Sequence, residues 1–158
     1  MQKLPARRPT WAEIDLSRLG ENFRTIKSFC GDEIRYMSVI KADAYGHGAI
    51  ECGRVLEAEG SDWFGVACLE EAVELRQAGI TSPILVFGGA WPGQEISFLN
   101  FDLTPMVFTL EQAQRMNEAA ARADKFVGVH VKIDTGMNRV GFRLEEVTTP
   151  THLWHGDA

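Results

Sequence analysis

The sequence has little cysteine and no cysteine pattern. Cys30, Cys52 and Cys68 are odd in number and none stands in a CxxC pair, which argues against a disulfide framework and a thiolate metal site and leaves reduced packing residues. No apolar run follows the basic start MQKLPARRPT, with its Lys3, Arg7 and Arg8, so neither a secretory signal nor a membrane anchor is expected, and the expected location is cytoplasmic. Basic charge is in deficit: 16 Lys and Arg against 22 Asp and Glu leave a formal charge of -6. A net anion is not drawn to nucleic acid or to an anionic bilayer, so the expected partners are small molecules. Repeats and low-complexity stretches are missing as well, and 158 residues fit one domain.

What is present is an alternation of short apolar runs and helical patterns, punctuated by glycine and proline. After the extended WAEID, the stretch LSRLGENFRTIKSF sets Leu16, Leu19, Phe23, Ile26 and Phe29 at helical spacing, with Gly31 where the helix should stop. YMSVIKA reads as a strand, and HGAIECGRVLEAEG as a helix that turns Ile50, Val55 and Leu56 inward and ends before Gly60. WFGVACL is the second strand. EEAVELRQAGI is the next helix, with Glu70 and Glu71 at the positive end of its dipole and Gly79 at its close. PILVFGG, LTPMVF and VGVHVKIDTG complete five strands, separated by the short pattern QEISFLN and by a helix over TLEQAQRMNEAAARAD that Thr109 caps.

Strands that are apolar throughout and alternate with helices form a parallel sheet. Two α/β architectures satisfy this order: an open doubly wound sheet, and a closed (β/α) barrel of about 250 residues. Length favours the first. The lack of a Gly-rich fingerprint after the first strand, and the polar residues at the ends of strands one and five, favour the second.

In both architectures the working site lies at the carboxyl ends of the strands. VIKADAYGHG, residues 39–48, puts Lys41 there. Partial burial penalises an ammonium and favours the free amine, which condenses with aldehydes; the plainer alternative is a lysine that reaches out of the strand tip to water. HVKIDTGMNRVGF, residues 130–142, sets Lys132 and Asp134 on one face of the fifth strand, with Arg139 on the turn beyond. Charges within a buried strand need partners, so this pattern is either a buried salt bridge that fixes the sheet or part of a site.

TWAEIDLSRLGENF, VIKADAYGHG, FGVACLEEAVELRQAG and HVKIDTGMNRVGF, in this order and at this spacing, resemble the N-terminal half of bacterial alanine racemase, over residues 9–143. The resemblance implies an incomplete (β/α) barrel of about five of eight strands in residues 1–143, without the family's C-terminal β-domain, and an unassigned tail at 144–158. It implies pyridoxal 5'-phosphate as cofactor, carried by Lys41, which then serves as one of two proton-transfer bases. Tyr45 matches the tyrosine that meets the cofactor phosphate. Lys132 matches a lysine often carried as a carbamate, and Arg139 the arginine that contacts the cofactor's phenolic oxygen and the substrate carboxylate. Asp134 has no implied role beyond local hydrogen bonding. The implied reaction interconverts L- and D-alanine for peptidoglycan, in a homodimer whose second base is a tyrosine from the partner subunit's C-terminal domain. No metal is implied.

The tail RLEEVTTPTHLWHGDA does not resemble the family's continuation, so the expectation is a truncated or frameshifted reading frame, inactive alone. A non-catalytic pyridoxal-phosphate-binding barrel and an inactive self-associating fragment are the alternatives. His152 and His155 lack further ligands in sequence and are not expected to bind metal. His47 and His130 read as structural, and Trp63 and Trp91 as packing or lid residues. GGAWPGQ, residues 88–94, reads as a tight loop, with anion contact through backbone amides as the other option.

Overall fold

The computed structural model describes residues 10–31 and 33–145. Helix α1, Leu16–Cys30, starts where Asp15 accepts the Arg18 N–H at 3.1 Å and stops at Gly31, whose φ of 92° no other residue adopts cheaply. The chain then lays down β1 (Met37–Val39), a helical turn α2 (Lys41–Gly46), α3 (Ala49–Ala58), β2 (Trp63–Val66), α4 (Leu69–Gln77), β3 (Ile84–Val86), α5 (Glu95–Asn100), β4 (Thr104–Val107), α6 (Leu110–Arg122) and β5 (His130–Val131). Thr109 caps α6, accepting the Gln112 N–H at 3.3 Å, as its sequence predicts.

All four strand pairings are parallel and the strands lie in the order β1-β2-β3-β4-β5. Order decides between the two architectures. A doubly wound sheet reverses direction at a switch point, whereas a barrel adds each strand to the same side of the last. The sheet also curls. The rings of Trp63 on β2 and His130 on β5 lie 5.1 Å apart, although three strand spacings of about 4.8 Å separate those strands along the hydrogen bonds. The fold is an incomplete parallel barrel, and no all-β domain occurs among the described residues.

The two faces of the sheet differ. Phe64, Val66, Ile84, Val86, Pro105 and Val107 point toward the helices and are almost fully buried, joined there by Leu75, Phe98 and Met116. The inner face holds Met37 and Val39, both exposed, and Gly65, which leaves room for the Phe87 ring.

Three expectations need correction. β1 is not buried throughout: it is an edge strand, and Met37 and Val39 are exposed. The fifth strand is two residues long, so Lys132 and Asp134 lie beyond it. The chain there turns back on itself: the Phe142 N–H donates to the Lys132 carbonyl and the Asp134 N–H to the Phe142 carbonyl, both at 2.9 Å. Finally, α1 packs on α3 through Leu16, Leu19, Gly20 and Phe23, while Ile26 and Phe29 stand 54% and 92% exposed.

Candidate functional site

Ile40 still belongs to the sheet, since its N–H donates to the Gly65 carbonyl at 2.9 Å. Lys41 is the next residue, half-buried at the carboxyl end of β1. The chain then turns left-handed. Ala42, Asp43, Ala44 and Tyr45 have φ between 51° and 57°, a conformation that costs a non-glycine residue roughly 1–2 kcal/mol and rarely occurs in series. Strain of this kind persists only where the surroundings over-determine it.

Here they do. The Ala44 N–H donates to the Ile40 carbonyl and the Gly48 N–H to the Asp43 carbonyl, both at 2.9 Å. The Asp43 carboxylate accepts the Ala49 N–H at 2.7 Å and so fastens the turn to the start of α3. His47 Nδ1 lies 2.8 Å from the Ala44 carbonyl, which can only accept, so Nδ1 carries the proton. The Cys52 thiol donates to the His47 carbonyl at 3.6 Å, and burial pushes its pKa up, consistent with an inert packing residue.

One support comes from the second βα unit. Glu71, in the first turn of α4, accepts the Ala42 N–H at 2.8 Å through one oxygen and the Ala67 N–H at 2.7 Å through the other. The sequence suggests only a helix-dipole role for the Glu70–Glu71 pair. The signal that could have singled out Glu71 is its place at the helix start, the end where strand tips and helix N-termini meet.

Tyr45 follows Lys41 on the same turn, 59% exposed, and lines a cleft of about 460 Å³ with Ile14, Leu19, Val39, Ile40 and His47. Lys132 is half-buried just past β5, its N–H donating to the Val107 carbonyl at 2.8 Å. It therefore sits, like Lys41, at a carboxyl end of the sheet, but at the opposite edge. Arg139 is exposed in a separate depression of about 500 Å³, lined also by Asp134, Asn138 and Arg143. Asp134 forms no ion pair with Lys132; its carboxylate accepts the Gly136 N–H at 2.9 Å, and this bond with the Asn138 N–H holds its pKa below the usual range. The sequence brings Lys41 and Tyr45 together, whereas Arg139 opens onto a different cavity.

Trp63 and His130 pack on each other, as structural residues do. Trp91 does not pack: it is 69% exposed. The 88–94 loop spends its amides internally, Gly88 on the Ala67 carbonyl, Gly89 on the Val86 carbonyl, Trp91 on Gln94 Oε1 and Gly93 on Glu95 Oε2, which is the tight-loop alternative. His152 and His155 lie outside the described residues.

A family model described as "Alanine racemase, N-terminal domain" matches residues 14–153. The alanine racemase of Geobacter sulfurreducens is 46% identical over 145 residues, covering 89% of this chain and 37% of the relative. That of Halothermothrix orenii is 47% identical over 139 residues, with coverages of 88% and 37%. Among solved structures, the alanine racemase of Clostridium difficile 630 in complex with cycloserine superposes with a TM-score of 0.84 at 44% identity, over 92% of this chain and 40% of that one. The Bartonella henselae alanine racemase, solved with covalently bound pyridoxal phosphate, gives 0.77 at 25% identity, over 85% and 39%. The chain spans a little over a third of the length of the curated relatives it matches, about 37%.

Proposed function

The chain belongs to the alanine racemase N-terminal domain family, and on that premise we propose that it is the cofactor-holding part of a pyridoxal-phosphate-dependent racemase that interconverts L- and D-alanine. The observation that carries this reading is the position of Lys41, one residue past β1, in front of a strained turn braced from both α3 and α4. A primary amine so held, with a phenol four residues on, fits an aldehyde cofactor that also carries a phosphate. Lys41 would bind the cofactor through Nζ, and Tyr45 would donate its hydroxyl to the phosphate. When bound, the cofactor supplies electron withdrawal from the substrate's α-carbon.

Lys41 Nζ would also stand to move the α-proton on one face of that carbon. Racemisation also needs a base on the other face. In the family resemblance that base belongs to a C-terminal domain of the partner subunit of a homodimer, so turnover requires residues beyond this chain. Arg139, supported by a carbamate on Lys132, would hold the substrate carboxylate. A cytoplasmic location and a role in supplying D-alanine for peptidoglycan belong to the same proposal. The second reading is a non-catalytic pyridoxal-phosphate-binding barrel; the KIDTGMNR stretch at 132–139 favours the racemase.

Borohydride reduction of the chain mixed with pyridoxal phosphate, followed by peptide mapping, is expected to place the label on Lys41. Assay of the same sample for conversion of L-alanine to D-alanine is expected to give none. A label elsewhere, or none in a folded sample, overturns the assignment of Lys41, and turnover by the isolated chain overturns the requirement for residues outside it.

A further inference from the structure

We propose that Glu71 is a positioning residue for Lys41, a carboxylate brace that sets the lysine's backbone frame and spaces the first two strand ends at the barrel mouth. The proposal rests on the assignment of Lys41 as cofactor lysine. Its own grounds are geometric. Ala42 directly follows Lys41 and Ala67 directly follows β2, and the two Glu71 oxygens take one N–H from each, at 2.8 and 2.7 Å. On its other side Ile40, the residue before Lys41, is pinned to β2 by its N–H, which donates to the Gly65 carbonyl. The residues on either side of Lys41 thus each donate an N–H to the second βα unit, and its side chain leaves from a defined frame. Ala42 is also where the left-handed turn begins, so an amide anchored there holds the strained conformation at its first residue. A carboxylate suits this task because it accepts at both oxygens and donates at neither.

Glu71→Gln keeps the shape but replaces one acceptor with a donor that faces an N–H. In the cofactor-free 158-residue chain, amide exchange at Ala42 or Ala67 is expected to quicken about tenfold or more, with Val66 and Val86 unchanged. With pyridoxal phosphate and borohydride, labelling of Lys41 is expected to slow about tenfold relative to wild type, and Glu71→Asp, which keeps two acceptors, to recover part of the loss. Glu70→Gln, with the same change of charge one residue away, is expected to match wild type in both measurements.

Unchanged exchange at both amides overturns the brace. Wild-type speed of Lys41 labelling in Glu71→Gln overturns the positioning role even if exchange quickens. Should both Glu71 variants fail to fold, Glu71 is a residue of the fold and the proposal falls. Failure of wild type itself to label at Lys41 instead counts against the cofactor assignment, and with it this role.

Discussion

The Asp43 carboxylate accepts the Ala49 N–H at 2.7 Å, so a single side chain inside the left-handed turn also starts the helix that follows it. Gly48, the residue before α3, offers no side chain to cap it. Asp43→Ala is therefore expected to cost about 1–3 kcal/mol, read as a lower urea midpoint. Asp43→Asn, which keeps an acceptor oxygen, should recover most of that loss.

Gly88 lies against backbone. A Cβ built there meets the Ala67 carbonyl oxygen at 2.7 Å, and the Gly88 N–H donates to that same oxygen at 2.9 Å. Neither group can move without parting the tips of β2 and β3. Gly88→Ala is expected to destabilise the chain by about 1–3 kcal/mol, measured by denaturant unfolding. Because Ala67 is also held by Glu71, the substitution should speed amide exchange at Ala67.

Glu57 gives the fold a pH dependence. Burial raises its pKa, but hydrogen bonds from the N–H and hydroxyl groups of Ser82 and Thr81, at 2.7–3.1 Å to a single oxygen, outweigh that effect and hold the pKa below the ordinary glutamate range. A depressed carboxylate stabilises the fold above its unfolded-state pKa, and that contribution is lost as pH falls through the folded-state value. The thermal midpoint is expected to decline as pH drops from about 5 to about 3. Glu57→Gln should lower the midpoint at pH 7 and flatten this decline. An equally steep decline in the variant would remove Glu57 as its source.

Lys132 is half-buried past the end of β5 and forms no ion pair with Asp134, which spends its carboxylate on its own loop. The buried salt bridge that the sequence allows is thus not made, and the amine is left for the proposed carbamate. Labelled bicarbonate is expected to produce one carbamate signal in the carbon NMR spectrum, missing in Lys132→Ala. Identical spectra from the two proteins would refute the modification.

Much of this molecule could be read along the chain because the information was local. Helix faces, the Thr109 cap, the stops at Gly31 and Gly79 and the alternation of strands and helices along the chain follow from periodicity and from residues with special backbone freedom. Local pattern misled where burial depended on distant neighbours. Ile26 and Phe29 continue the apolar stripe of α1, yet only the part of the stripe that meets α3 is covered. The same holds for Val39, apolar and in a strand, but at an edge.

By itself the sequence determined that a lysine would stand at the end of the first strand, with a tyrosine four residues later, because strand and turn propensities act over a few bonds. Tertiary structure decided that the sheet winds in one direction, since strand order is a matter of long-range pairing. It also decided what holds Lys41 in place. Glu71 is 29 residues from Ala42, and no local rule joins them; only the parallel pairing of β1 with β2 carries the start of α4 to the strained turn, where a carboxylate can satisfy two backbone amides at once.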